Sequence, residues 1–106
     1  MTTTVELVSY RLKDNATKEQ LAKTHDDVNN FLQQQEGFLY RSCSQDDSGL
    51  VYDIVYWQNM SSAKSAGEAF MNHPAGQSLM VLCDENSISM SHMEVLTEKA
   101  NCAEAA

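Results

Sequence analysis

Three observations predict an α+β fold in which two helices cover one face of a four-stranded antiparallel sheet. Segments with strand or helix periodicity follow one another in the order β-α-β-β-α-β. The joints between them carry the residues that turns and helix ends require. The chain is 106 residues long, enough for one domain with one core and little left over to enclose a ligand.

Residues 4–12, Thr-Val-Glu-Leu-Val-Ser-Tyr-Arg-Leu, are rich in β-branched, aromatic and aliphatic types and read as the first strand. Residues 13–16 form a turn. Thr17 and Gln20 then have the spacing of a capping box, and Leu21, Thr24, Val28 and Phe31 or Leu32 recur at helical spacing, so the first helix runs to about Gln35. Gly37 stands where a left-handed residue would end it. Residues 38–44 and 50–58 are two strands joined by Gln45-Asp46-Asp47-Ser48-Gly49, a hairpin connection with a glycine available for positive φ. Asn59 or Ser61 caps a second helix with the small inner face Ala63, Ala66, Gly67 and Phe70. Pro74 stops that helix, because it disfavours α conformation at His73. Residues 79–83 form a further helical turn, 84–86 a loop and 87–96 the last strand, leaving a polar, alanine-rich tail over 97–106.

This order is the split βαβ, or ferredoxin-like, arrangement, whose usual sheet order is 4-1-3-2 with both helices on one face. The third strand is apolar or aromatic on both sides: Tyr52, Ile54 and Tyr56 on one, Val51, Val55 and Trp57 on the other. An antiparallel sheet open to water should alternate instead, so a second covering layer is expected.

The formal net charge of −8 disfavours nucleic acid and anionic membrane surfaces as partners, and no apolar run approaches a bilayer span. The start of the chain has neither the basic nor the apolar region of a signal peptide. Cys43, Cys83 and Cys102 are odd in number and widely spaced, which reads as reduced thiols in a cytoplasmic protein. No cysteine pair, histidine pair or glycine-rich phosphate loop has the spacing a metal or nucleotide needs, so no cofactor and no metal are expected.

Val5-Glu6-Leu7-Val8, the Glu36-Gly37-Phe38 helix exit, the strand from Val51 to Trp57, the small-residue helix Ala63 to Phe70 and Met90-Ser91-His92 follow one another in a recurrent order. Over residues 4–96 this resembles the antibiotic biosynthesis monooxygenase-like group of dimeric α+β barrels. The resemblance implies a homodimer in which two sheets face each other and each half encloses a cavity against its own helices or the facing sheet. It also implies a cofactor-independent monooxygenase that deprotonates an electron-rich, hydroxy-aromatic-like molecule, whose anion reduces dioxygen. The alternative is a non-catalytic barrel that binds a small molecule or serves as a dimer module.

Residues two and four apart on a strand share a face. Asp53 lies with Trp57, Glu6 with Tyr10, and His92 with Met90 and Glu94; if the registers agree, Glu6, Tyr10, Asp53, Trp57 and His92 line one cavity. Asp53 and His92 are the candidate catalytic groups; Trp57, Tyr10 and Glu6 are the candidate substrate contacts. By resemblance Trp57 corresponds to an aromatic cavity position, and Asp53 stands where such enzymes carry Asn. An ionised Asp accepts hydrogen bonds and donates none, so it would serve as a base. Plain structural roles compete: core packing for Trp57, a satisfied strand histidine for His92, and for Asp53 or Glu6 an ion pair across the dimer. The cavity arginine of the family has no match among Arg11 and Arg41. His73 reads as a helix-ending imidazole, and His25-Asp26-Asp27 as a solvated face.

Overall fold

The structure is a computed structural model that describes residues 2–100. Its strands are β1 (Thr4–Tyr10), β2 (Phe38–Gln45), β3 (Val51–Trp57) and β4 (Ser89–Glu94). Its helices are α1 (Lys18–Gln33), α2 (Met60–Met71) and α3 (Pro74–Leu82), and a 3₁₀ turn spans Glu85–Ser87. The sheet is antiparallel throughout in the order β2-β3-β1-β4, the expected ferredoxin-like order read from the other edge.

Local chemistry sets the element ends. Thr17 accepts from the Gln20 N–H and the Gln20 side chain accepts from the Thr17 N–H, at 3.1 and 2.8 Å, so the capping box starts α1. The helix then buries Leu21, Thr24, Val28, Phe31 and Leu32 as one stripe. The chain leaves it through Gly37 at φ 84°, whose carbonyl accepts from the Gln58 N–H at 2.8 Å and ties the exit to the end of β3. Asn59 caps α2, accepting from the Ser62 N–H at 2.8 Å.

The second half departs from expectation at three points. Pro74 opens a third helix instead of only ending the second, because proline suits the first helical position, where its missing N–H costs nothing. The expected turn at 79–83 is the end of that helix. His73 is accordingly the N-cap of α3, its Nδ1 accepting from the Ala75 N–H at 3.0 Å. The ring expected to end α2 is thus also committed to the start of α3. The last strand is shorter than 87–96: Asp84 accepts from the Asn86 N–H, and residues 85–87 coil before β4 begins. Within the expected tail, residues 97–100 have no regular structure and 101–106 lie outside the described residues.

All three helices lie on the face that carries Val51, Val55 and Trp57, and that layer holds the core. Tyr52, Ile54 and Tyr56 lie on the other face, where Tyr40 packs edge-on against Tyr56 with ring centroids 6.2 Å apart. No helix among the described residues is long and apolar enough to cross a membrane.

Candidate active site

The registers place the five candidate residues on the helix-covered face. Glu6 sits opposite Val55 on one side and His92 on the other, Asp53 opposite Val8, and Tyr10 opposite Val51. Three of the five, Glu6, Asp53 and Trp57, line one cavity of about 80 Å³. Its remaining walls are Arg41 and Val55 from the sheet and Val28, Phe31, Leu32, Ala66, Gly67, Phe70 and Leu79 from the helices. Trp57 is only 1 % exposed and packs edge-on against Phe38, so it is both core residue and cavity wall.

Glu6 is the free carboxylate of this cavity. One oxygen accepts from the Trp57 indole N–H at 3.0 Å; the other lies 3.8 Å from His92 Nε2, too far for a hydrogen bond. Burial pushes the Glu6 pKa up, and the nearby Asp53 charge adds to this; the indole bond and His92 offset it only in part. The group therefore holds a proton more readily than an ordinary glutamate.

Asp53 is engaged. Arg41 reaches across from β2 and donates Nε to one carboxylate oxygen at 2.9 Å and an Nη to the other at 2.7 Å. The other Nη of Arg41 bonds Asn29 of α1 at 2.8 Å. Burial alone would lower the guanidinium pKa, but the bonds and charge of Asp53 outweigh it and raise it. With both oxygens bound, Asp53 fixes Arg41 at the cavity wall, and the ion pair is made within one chain.

Arg41 is the cavity cation that sequence reasoning left unplaced. The hairpin register contained the signal: Gln45 pairs with Val51, so Cys43 pairs with Asp53 and Arg41 lies one diagonal step away on the same face. His92 and Tyr10 share the face without lining the cavity. The Nε2 of His92 is buried and has no hydrogen-bond partner among the described residues. The Tyr10 hydroxyl is likewise buried and unpartnered, and burial, helped by the nearby Asp53 charge, raises its pKa strongly. No three His, Cys, Asp or Glu side chains come together as a cation site among the described residues.

No family model and no curated protein matches the chain. Solved structures do. SnoaB, a cofactor-independent oxygenase from Streptomyces nogalater, superposes with a TM-score of 0.66 at 10 % identity over 94 % of this chain and 97 % of its own. A candidate antibiotic biosynthesis monooxygenase from Chloroflexus aurantiacus gives 0.66 at 11 % identity, over 93 % and 98 %. A protein of unknown function from Nitrosomonas europaea gives 0.71 at 14 %, over 95 % and 96 %. At these identities the likeness is one of fold, and at that level the resemblance read from the sequence stands: the chain has the ferredoxin-like α+β architecture of the antibiotic biosynthesis monooxygenase-like structures.

Proposed function

We propose that the protein is a cofactor-independent monooxygenase of a small hydroxy-aromatic molecule, with Glu6 as the proton acceptor. The observation that carries this reading is a buried carboxylate of raised pKa opening on a cavity whose other walls are apolar side chains and the Arg41–Asp53 pair. A general base works best when its pKa approaches the working pH, and burial moves Glu6 in that direction. Removing the substrate's proton puts charge on its ring. The ring anion then gives an electron to dioxygen, the two radicals combine, and loss of water leaves a quinone. One oxygen atom enters the product, the other leaves as water, and the substrate supplies the electrons. Arg41, held by Asp53, supplies positive charge at the wall, and the Trp57 indole orients the base. His92, beside Glu6, favours its ionised form.

The outer sheet face supports the homodimer. Val5, Leu7, Ile54 and Tyr56 form a half-buried apolar surface that no helix among the described residues covers, and a second sheet would cover it. Cys43 and Cys83 are free thiols, in keeping with a cytoplasmic setting.

The size of the cavity favours a second reading. At about 80 Å³ it is well below the roughly 300–1,000 Å³ of drug-sized ligand sites, as a non-catalytic binder of a very small molecule would have. Oxygen-electrode measurements with one- and two-ring phenols and hydroquinones separate the two. A monooxygenase consumes oxygen, and Glu6→Gln lowers kcat by about 10²–10⁴-fold while ligand still binds. Binding without oxygen uptake by the wild type would leave the non-catalytic reading.

A further inference from the structure

The chain has four glycines, and three have a structural reason. Gly37 and Gly49 adopt φ 84° and 92°, and a Cβ on Gly76 would overlap the Phe70 carbonyl. Gly67 has no such reason. It lies inside α2, where glycine is among the least favourable residues, and a Cβ there would meet no atom within 4 Å. Nor does it belong to the solvent face: Gly67 is half-buried and lines the cavity from the helix side, between Ala66 and Phe70. Glu6 lines the same cavity from the sheet side.

Two destabilising features therefore coincide. Apolar space left unfilled forfeits dispersion contacts, and helical glycine loosens the backbone beside it. An alanine at 67 would stiffen the helix without a clash, so the fold gains nothing from the glycine. A ligand does.

We propose that Gly67 is the specificity-determining residue of this cavity. Its missing side chain makes the space that receives the apolar end of the ligand, while the ligand hydroxyl meets Glu6. This rests on the reading that the cavity binds a hydroxy-aromatic, and it narrows the class to compact, flat molecules whose far edge reaches α2.

Trp57 is the only tryptophan of the chain and lines the cavity, so its fluorescence reports occupancy. The test titrates phenol and 1-naphthol into wild type, Gly67→Ala and Gly67→Met, with thermal melting of each. Gly67→Ala should raise Tm by about 4–8 °C. It should weaken 1-naphthol by about tenfold or more while phenol changes by less than about threefold. Gly67→Met, folded by its melting curve, should bind neither. Unchanged 1-naphthol binding in both variants, or a Gly67→Ala protein that melts below wild type, would overturn the assignment. If neither phenol nor 1-naphthol quenches the wild type, the cavity reading itself fails, a result distinct from binding that ignores residue 67.

Discussion

Removing the charge of Arg41 should be among the most destabilising single changes in this protein. The side chains of Arg41 and Asp53 are 5 % and 10 % exposed and share two charge-assisted hydrogen bonds. Arg41→Met keeps most of the aliphatic stem and leaves the Asp53 carboxylate buried without a partner. Breaking such a pair from one side costs about 3–5 kcal/mol, a large share of the roughly 5–15 kcal/mol that holds a domain together. Asp53→Asn should cost less, because Arg41 keeps its bond to Asn29 and a route toward water. In the double variant Arg41→Met/Asp53→Leu, no buried charge remains, and stability should return to within about 1 kcal/mol of wild type. Urea unfolding followed by Trp57 fluorescence reads all four proteins, and a constant m-value validates the comparison. If Arg41→Met cost under about 1 kcal/mol, the pair would behave as an exposed surface bridge and the buried geometry would be wrong. A double variant as unstable as Arg41→Met alone would contradict the coupling.

Glu6→Gln keeps an oxygen for the Trp57 indole but cannot ionise. Because the folded pKa of Glu6 is raised, its favourable contribution is full below about 4.5 and is lost as pH rises through the folded value. Near neutral pH the variant should therefore melt at or above wild type, with the difference closing in acid; a lower Tm near neutrality would contradict the burial argument. Burial pushes the Cys83 thiol up to about 11, and it donates to the Leu79 carbonyl, so native protein should resist iodoacetamide at Cys83 until unfolded; peptide mapping checks this. His73→Ala removes the cap of α3 and should cost about 1 kcal/mol, whereas His73→Asn, which keeps an acceptor, should cost little; equal losses by chemical denaturation would refute the capping role.

The sheet and the first helix were legible because each rests on a local signal: the Thr17–Gln20 box, the left-handed glycines and the period-two strands. Shared faces were legible for the same reason, since Glu6 and Tyr10, or Asp53 and Trp57, need only the strand period to align. Partnership was not. Whether Asp53 stood free or bound depended on which β2 residue came level with it, and that required the hairpin register to be carried through to Arg41. Depth along the strands was equally hidden, so Tyr10 shares the face of Glu6 but does not line the cavity. Pro74 is ambiguous in sequence, since proline both ends one helix and begins the next, and α3 was shortened accordingly. In the sequence Gly67 is one member of the small inner face of α2; only the space around it shows that it leaves room there.

The central claim is that Glu6 is a proton-accepting carboxylate within a ligand cavity. The most direct test is a carboxyl-carbon NMR titration of glutamate-labelled protein, with Glu6 assigned by its loss in Glu6→Gln, in the absence and presence of saturating 1-naphthol. The expected result is one carboxyl, missing in the variant, that titrates above 4.5 and moves when ligand binds. A Glu6 that titrates at or below 4.5, or that does not respond to bound ligand, would contradict it.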